Sequence, residues 1–277
     1  MRQQRDFNEK HKKVYAWLEA LDHPEKGKRI VHLAGTNGKG STGMFIAQIL
    51  SLSSCQVGHF SSPHVISYQE RIRINGQPVS NADLARVRSK IIAEQDRNQL
   101  PPLFYFEQSF IEALLLFQDV EWIVLESGVG GREDITSIIP ADYVVITSIS
   151  MDHVDKLGAN LTAIAGHKAD IIEPGKPVFS ARQQDEVTAV LEAVAKERQA
   201  PLRMLDSSMI DCCGIVSAGK SGQAEDEYRD KAMMTFTWKQ GKLAGPYETQ
   251  MLGYHQVDNA GLALLVAEGL DFTTYEK

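Results

Sequence analysis

The chain has 277 residues and 43% of them are apolar, which is enough to fill the core of one large domain or two small ones. Its 29 Lys and Arg against 36 Asp and Glu give a net charge of −7, which argues against a surface that binds a nucleic-acid backbone. The apolar runs have only strand length, the N-terminus lacks a secretory signal and three Cys are too few for a disulfide scaffold, so we predict a soluble, cytoplasmic protein with no membrane partner.

Helix-like and strand-like segments alternate along the chain, which predicts an α/β protein with a mostly parallel sheet. The predicted helices span residues 7–21, 41–52, 81–97 (with Asn81 as N-cap), 106–117, 161–172, 185–198 and 255–270. The predicted strands span residues 29–34, 56–60, 122–126, 143–148 and 178–179. A polar stretch at 217–230 is followed by a segment with a hairpin-like pattern, which predicts a small antiparallel β addition over about 207–250. The hairpin is predicted to turn near Gln240 and Gly241.

A glycine-rich loop, GTNGKGST, lies between the predicted strand 29–34 and the helix that follows. Glycines let backbone N–H groups turn inward around phosphates, Lys39 supplies a positive charge, and a hydroxyl of Ser41 or Thr42 can reach Mg²⁺. A glycine-rich turn with one exposed lysine is the alternative, but the flanking strand and helix favour nucleotide-phosphate binding. The predicted phosphate-binding residues are Gly35, Thr36, Asn37, Gly38, Lys39, Gly40, Ser41 and Thr42.

Six further sequence blocks follow this loop in order. They are FSSPHV with ERIRING (60–65 and 70–76), YFEQSFIEA (105–113), ESGVGGREDITS (126–137), TSISMDHVDKLG (147–158), IAGHKADII (164–172) and GYHQVDNA (253–260). Together with the loop and its glycine after Lys39, they resemble the folylpolyglutamate synthase and dihydrofolate synthase branch of the Mur ligase superfamily. The resemblance extends over most of the chain.

This resemblance implies a role for residues in several blocks. Lys39 would contact the β and γ phosphates of ATP, and Asn259 would contact the nucleotide. One Mg²⁺ would be held by Ser41 and Glu126, and a second by Ser62, Glu126 and His153. Ligation through oxygen atoms, completed by phosphates, is what Mg²⁺ prefers.

Lys168 stands where the family carries a carbamylated lysine, which makes Lys39, His153 and Lys168 the implied catalytic residues. Carbamylation needs a neutral amine, and therefore a pKa lowered by burial or by cationic neighbours. Without the resemblance, each site residue outside the loop has a plainer interpretation: Lys168 as a solvated charge, His153 as a packed histidine, Ser62 as a turn residue before proline, and Glu126 as a helix cap.

The fold implied by the resemblance is a three-layer, P-loop ATPase-like domain that occupies residues 1–277. The implied reaction joins L-glutamate to a carboxylate of a pteroate or folate through an acyl phosphate, with ATP and Mg²⁺ as cofactors. No motif decides between dihydropteroate and tetrahydrofolate as acceptor, and we expect a monomer. The family's second, C-terminal domain, which closes over ATP and helps to bind glutamate, is expected to be absent.

A second hypothesis is a nucleotide-binding regulatory or scaffolding protein that has lost ligase activity. It is motivated by the expected absence of the C-terminal domain and by departures from the family's pattern beside Lys168, at His167, Asp170 and Glu173. An amide ligase that acts on cell-wall precursors is a third candidate, and it would need a UDP-sugar site for which the sequence shows no distinct motif.

Overall fold

A computed structural model describes residues 8–152, 158–217 and 232–270, and its centre is a single large β-sheet. The strands of this sheet are β1 (Arg29–Ala34), β2 (Val57–Phe60), β3 (Ile72–Ile74), β4 (Gln77–Pro78), β5 (Trp122–Glu126), β6 (Tyr143–Ile146), β7 (Val178–Ser180) and β8 (Leu202–Met204). Their spatial order is β4-β3-β2-β5-β1-β6-β7-β8. All neighbouring pairs from β2 to β8 are parallel, and only the pairs β2–β3 and β3–β4 of this sheet are antiparallel, so the predicted mostly parallel sheet is confirmed.

Helices cover both faces of this sheet. They are α1 (Glu9–Ala20), α2 (Lys39–Leu52), α3 (Asn81–Asn98), α4 (Tyr105–Leu116), α5 (Leu161–Ala169), α6 (Asp185–Glu197) and α7 (Tyr254–Gly269). Side chains of β1 alternate between the faces: Val31 and Leu33 pack with α2 and α7, whereas Ile30 packs with α1, α3 and α4 and Ala34 packs with α5 and α6. The predicted three-layer α/β architecture is therefore confirmed.

A second, three-stranded sheet packs outside α7. It consists of β9 (Ile210–Ser217), β10 (Ala232–Trp238) and β11 (Gly245–Thr249), in the antiparallel order β11-β10-β9. Alternate residues of β10, Met234, Phe236 and Trp238, are buried in the same core cluster as α2 and α7. This confirms the predicted antiparallel addition and its hairpin, which joins β10 to β11.

Several details differ from the sequence prediction. Ser80, and not Asn81, is the N-cap of α3: its hydroxyl accepts from the Asp83 amide at 3.1 Å, and the Asp83 carboxylate accepts from the Ser80 amide at 3.3 Å. α2 begins at Lys39, two residues earlier than predicted. The short strands β3, β4 and β8 were not predicted, because runs of two or three residues carry too little periodicity to be recognised.

The carboxyl ends of the parallel strands converge on one edge of the sheet. Leu33 of β1 lies opposite Glu126 of β5, and Ala34 lies opposite Ile146 of β6. The loops that follow β1, β2, β5 and β6 therefore start side by side, at the edge where open parallel sheets bind their ligands. Within the described ranges, no helix is both long enough and apolar enough to cross a membrane.

Candidate active site at the carboxyl edge of the sheet

The glycine-rich loop is fixed against the segment that follows β6. The backbone amides of Thr36 and Asn37 donate to the Ser148 carbonyl at 2.8 and 3.2 Å. The Thr36 hydroxyl donates to the Ser150 carbonyl at 3.0 Å and accepts from the Ser150 amide at 3.1 Å, while the Asn37 amide group donates to the Ser150 hydroxyl at 3.2 Å. The loop backbone is therefore held open at the amino end of α2, where phosphate oxygens are favoured.

Two glycines of the loop have conformations and surroundings that exclude a side chain. Gly35 has a φ of +151°, and a Cβ there would lie 1.9 Å from the Thr147 hydroxyl oxygen. Gly38 caps α2 with a φ of +89°, and its Cβ would lie 2.3 Å from the Asn259 Oδ1. The glycine pattern in the sequence therefore reflects both backbone conformation and close approach of neighbouring segments.

The Lys39 ammonium folds back onto its own loop. Its Nζ donates to the carbonyls of Gly35 and Thr36 at 3.0 and 3.2 Å, and it lies 4.0 Å from Oε1 of Glu126. These carbonyl contacts are the kind that phosphate oxygens can replace, because a phosphate offers a stronger, charged acceptor to the same ammonium.

Glu126 ends β5 and is almost completely buried beside this loop. Its Oε2 accepts from the Ser62 backbone amide at 3.2 Å, and a Cβ at Gly40 would lie 3.6 Å from the same oxygen. Burial raises the pKa of Glu126 to about 7, and the Lys39 charge only partly opposes this shift. The positive charges of the chain therefore do not fully compensate for the burial of the Glu126 carboxylate.

That deficit fits the binding of a divalent cation. Glu126 offers carboxylate oxygens, Ser62 follows β2 beside it, and Ser41 lies in the first turn of α2. These are hard oxygen ligands of the kind that Mg²⁺ prefers, with phosphate oxygens and water completing the coordination. No group of three or more His, Cys, Asp or Glu side chains in residues 8–152, 158–217 and 232–270 could hold a metal. His153, the remaining predicted ligand, lies outside the described residues.

Lys168 is a buried residue of α5 rather than a solvated charge. Its Nζ donates to the Gly35 carbonyl at 2.7 Å, the same carbonyl that accepts from Lys39. Burial and the nearby Lys39 charge lower the pKa of Lys168 to about 8. This environment gives the amine the neutral fraction that carbamylation needs, and carbamylation itself stays a prediction.

Asn259 comes to the opposite side of the loop from α7. Its Oδ1 accepts from the Thr42 hydroxyl at 3.4 Å, and its Nδ2 donates to Oε1 of Gln256 at 3.0 Å. A residue 217 positions away in sequence from Thr42 therefore contacts the amino end of α2, as a nucleotide-contacting residue requires.

The predicted site residues within the described ranges meet at this edge of the sheet. Sequence reasoning did not assign a role to Thr147, Ser148 or Ser150, which brace the loop, or to the buried Arg71. The blocks 147–158 and 70–76 contain these residues, so a signal was present. The roles of these residues could not be inferred from the sequence, because a carbonyl that accepts from the loop and a buried guanidinium are defined by the fold. No characteristic residue spacing marks either of them.

Comparison with known proteins gives a consistent result. Residues 33–267 match the Mur ligase middle domain. A dihydrofolate synthase/folylpolyglutamate synthase of Bacillus subtilis is 35% identical over 258 residues, which is 91% of this chain and 57% of the relative. One of Escherichia coli is 38% identical over 173 residues, or 62% of this chain and 40% of the relative. The chain therefore spans roughly half the length of these curated relatives.

Solved structures show the same likeness. An FPGS–AMPPCP–folate complex superposes with a TM-score of 0.78 at 29% identity, covering 93% of this chain and 61% of that one. Mycobacterium tuberculosis folylpolyglutamate synthase complexed with ADP and AMPPCP superposes with a TM-score of 0.76 at 31% identity, covering 94% and 60%. The fold found here is thus that of the matched part of these proteins.

Proposed function

The chain belongs to the family of the Mur ligase middle domain, and from that premise we propose that it activates a pteroate or folate carboxylate with ATP for ligation to L-glutamate. The curated relatives are named dihydrofolate and folylpolyglutamate synthases, and one similar structure holds AMPPCP and folate. The ligase activity, its substrates and its cofactors are proposed for this chain, which matches only part of those proteins.

The observation that carries the proposal is the convergence on the Gly35 carbonyl. Lys39 and the buried Lys168 both donate to it, and Glu126 lies 4.0 Å from Lys39. One cation (Lys39), one buried amine (Lys168) and one buried carboxylate (Glu126) thus surround the mouth of the glycine-rich loop. This is the group of charges that phosphoryl transfer needs, because its transition state spreads negative charge over the transferring phosphate.

Electrostatics explain why these residue types are needed. The acid substrate is an anion that must approach the polyanionic triphosphate, so Coulomb repulsion opposes the reaction. Lys39 would exchange its loop carbonyls for β and γ phosphate oxygens, the amides at the start of α2 would hold the phosphates, and Asn259 would fix the nucleotide. When bound at Glu126, Ser41 and Ser62, Mg²⁺ would supply further neutralising charge.

The proposed chemistry has two steps. A carboxylate oxygen of the acid attacks the γ phosphorus, ADP leaves, and an acyl phosphate forms. The amine of L-glutamate then attacks the acyl carbon, phosphate leaves, and the amine gives up a proton as the amide forms. The chain's part in both steps is to hold the phosphoryl group and the acid in line.

Binding of an ATP analogue to the full 277-residue chain tests the nucleotide half of the proposal. We expect AMPPCP with Mg²⁺ to bind by calorimetry, and Lys39→Ala to weaken that binding at least ten-fold, because the loop loses its charge-assisted phosphate contact. Lys196→Ala is the matched control, since Lys196 is exposed on α6, far in sequence from the loop. Equal affinity in wild type and Lys39→Ala would remove the phosphate-loop assignment.

Phosphate release tests the catalytic half. With ATP, Mg²⁺, L-glutamate and dihydropteroate or tetrahydrofolate, we expect phosphate release that depends on the acid. Glu126→Gln should abolish it while leaving the fold intact, because the amide removes the negative charge of the site. Nucleotide binding without acid-dependent phosphate release would support the regulatory or scaffolding hypothesis instead.

A further inference from the structure

The carboxyl end of α5 is closed by a residue from outside that helix. α5 ends at Ala169, and the next residue, Asp170, keeps a helical backbone with a φ of −63° and a ψ of −12°. Residues 170–172, which lie within the described range 158–217, have no positive φ, so the left-handed residue that commonly satisfies the last carbonyls of a helix is not found here. Several carbonyls of this turn therefore depend on donors from elsewhere in the chain.

Arg198, the residue that follows α6, supplies these donors. Its Nη1 donates to the carbonyls of Ala169, Asp170 and Ile172 at 3.4, 3.0 and 2.5 Å, and its Nη2 donates to the Asp170 carboxylate at 2.9 Å. The Arg198 carbonyl also accepts from the Gly175 amide at 2.9 Å. The side chain and the main chain of Arg198 thus both hold the segment that leaves α5, and a positive charge is favoured at the carboxyl end of a helix.

The loop after β5 packs against the same turn of α5. A Cβ at Gly131 would lie 2.0 Å from the carbonyl oxygen of His167 and 3.1 Å from that of Lys168. One residue later, the Ala169 carbonyl accepts from Arg198. The backbone of Lys168 is therefore located by contacts with two separate segments of the chain.

Lys168 needs this location in order to reach the glycine-rich loop. Its Nζ donates to the Gly35 carbonyl at 2.7 Å, and the residue is only 2% exposed. Burial of an amine costs free energy, and Lys168 is the second-to-last residue of α5, at the end of a helix where turns open most readily. Without a restraint on this turn, the amine would gain free energy by moving into water.

We propose that Arg198 is a positioning residue for Lys168. By binding the carbonyls of residues 169–172 it keeps the end of α5 in place, and so keeps the Lys168 amine at the Gly35 carbonyl. This rests on the proposed function, in which Lys168 acts at the mouth of the glycine-rich loop. Asp170, one of the three departures from the family's pattern beside Lys168, has a partner within this chain in Arg198. This departure therefore does not favour a loss of ligase activity.

The pKa of Lys168 in the full 277-residue chain, without any ligand, reports where its amine lies. Burial and the Lys39 charge lower this pKa to about 8, against the opposing effects of Asp152 and Asp134. It can be measured by NMR of a chain that carries ¹³C-labelled lysine, in which Lys168→Met identifies the signal. Arg198→Met should move the pKa from about 8 toward its ordinary value of 10.5, because the released amine becomes solvated.

Two further variants separate the carbonyl contacts from a simple ion pair. Arg198→Lys keeps the positive charge but loses the planar fork, so it should move the Lys168 pKa less than Arg198→Met does. The exchanged pair Asp170→Arg with Arg198→Asp keeps opposite charges but removes the donor from the three carbonyls. It should leave the Lys168 pKa as high as in Arg198→Met.

Lys176→Met is the matched control. Lys176 lies on the same connection between α5 and β7 and pairs with Asp142 at 3.0 Å, but none of the carbonyls that Arg198 binds accepts from it. The Lys168 pKa should stay at about 8 in this variant. Circular dichroism at the temperature of the titration checks that every variant is folded.

Acid-dependent phosphate release gives the functional readout. Arg198→Met should lower kcat on the order of ten-fold, because the amine near the transferring phosphate is misplaced. KM for ATP should stay within about two-fold, since the glycines and Lys39 of the loop are unchanged. Lys176→Met should change neither.

The outcomes separate the role of Arg198 from the proposed function. A Lys168 pKa that stays near 8 in Arg198→Met, or that returns to about 8 in the exchanged pair, would overturn the positioning role of the carbonyl contacts. An unchanged kcat in Arg198→Met with a raised Lys168 pKa would overturn the link to catalysis. A wild-type chain that shows the expected pKa values but no acid-dependent phosphate release would overturn the proposed function and leave the placement of Lys168 by Arg198 standing.

Discussion

Two adjoining regions of the site differ in how their polar groups are satisfied. The nucleotide side, formed by residues 35–42 with Lys168 and Asn259, bonds within the chain: both lysines donate to the Gly35 carbonyl, and Asn259 accepts from Thr42. The acid side, formed by residues 61–71 with Tyr105, leaves the Arg71 fork without an acceptor and its Val65 and Ile66 side chains nearly fully exposed.

The difference follows from what each side is built of. The glycine-rich loop is shaped by backbone conformation and by neighbouring segments, and in the proposed function Lys39 would exchange its carbonyl acceptors for phosphate oxygens. The acid side is shaped by side chains on a surface segment, and its Arg71 guanidinium has no carboxylate partner among the described residues. One side is therefore fixed by contacts within the chain, whereas the other leaves a cationic group without an acid partner among the described residues. Substitutions on the two sides should therefore have different effects on AMPPCP affinity and on pteroate affinity.

The largest effect is expected from Gly35→Ala on the nucleotide side. The new Cβ would overlap the Thr147 hydroxyl oxygen, and the φ of +151° is one that alanine rarely adopts. We expect the free energy of unfolding to fall by about 3 kcal/mol and AMPPCP affinity to fall about 100-fold. Urea unfolding and calorimetry measure the two effects.

Gly175→Ala is the control for Gly35→Ala. Gly175 has a φ of +72°, but no atom lies within 4 Å of the position that a Cβ would take, so only the backbone conformation is strained. We expect a loss of about 1 kcal/mol and no change in AMPPCP affinity. If both variants lost the same stability and the same affinity, the close packing of the loop would not be what forms the cradle.

Lys168→Met tests whether the nucleotide side gives up stability for function. Burial lowers the pKa of Lys168 from 10.5 to about 8, so at pH 7 the charged form makes the folded state less stable by about 3 kcal/mol. Removing the charge while losing the bond to the Gly35 carbonyl should leave a net gain of about 1 to 2 kcal/mol. Acid-dependent phosphate release should be lost.

The pH dependence supplies the check on Lys168→Met. Between about pH 8 and 10.5 the unfolded wild-type chain binds more protons at this lysine than the folded chain does, so wild-type stability rises with pH there. The advantage of the variant should therefore shrink from pH 7 to pH 10. Lys196→Met, at an exposed position on α6, should show neither the gain nor the pH dependence. A variant less stable than wild type at pH 7 would contradict the expectation.

Glu112→Gln tests the buried hydrogen-bond network that holds Tyr68 in place next to the acid side. The fully buried Glu112 accepts from the Tyr68 hydroxyl at 2.6 Å, from Arg88 at 2.8 Å and from Gln108 at 2.7 Å. The neutral amide can satisfy only part of these donors, so the free energy of unfolding should fall by about 1 to 3 kcal/mol. Pteroate affinity should fall about three-fold, because Tyr68 packs beside Arg71, and AMPPCP affinity should not change.

Glu9→Gln is the matched control for Glu112→Gln. Glu9 also pairs with a cation, Lys12, at 2.8 Å, but its side chain is 89% exposed. Its loss should change stability by less than about 0.5 kcal/mol. An equal fall in AMPPCP and pteroate affinity in Glu112→Gln would mean that the two sides are not independent.

The smallest effect is expected from Glu70→Gln, which should loosen the acid side alone. The Glu70 carboxylate accepts from the backbone amides of Val65, Ile66 and Ser67 at 3.0, 3.1 and 2.8 Å, and these bonds lower its pKa. The amide keeps a single acceptor oxygen, so pteroate affinity should fall on the order of two-fold, with a small fall in melting temperature.

The pH profile of the wild type tests the same carboxylate. The folded-state pKa of Glu70 lies below its ordinary value of 4.5. The ionised carboxylate therefore contributes fully to the free energy of unfolding above pH 4.5, and this contribution is lost as the pH falls through the folded-state pKa. The ratio of pteroate affinities between the wild type and Glu70→Gln should therefore be the same at pH 5 and pH 7. If Glu70→Gln lowered AMPPCP affinity as strongly as pteroate affinity, the division into two sides would be wrong.

Much of the fold could be predicted because its signals are local. The strand 29–34, the glycine loop and the helix after it follow each other in sequence, and β10 shows the alternation of a half-buried strand. The short strands β3, β4 and β8 escaped prediction because pairing, not periodicity, defines them. Ser80 replaced Asn81 as the cap of α3 because the cap needs an extended backbone and a partner at Asp83, which composition alone does not reveal.

The sequence by itself determined the glycine-rich loop between a strand and a helix, the parallel sheet and the position of Glu126 at a strand end, since these depend on glycines, charges and periodicity that lie within one segment. Only the tertiary structure decided that Lys168 is buried against Gly35, that Asn259 meets Thr42, and that the Arg71 fork lacks an acid partner among the described residues. Such properties depend on which distant residues share one buried volume. In that volume water no longer screens a charge, so the energy of each ionised group is set by neighbours that the sequence places far away.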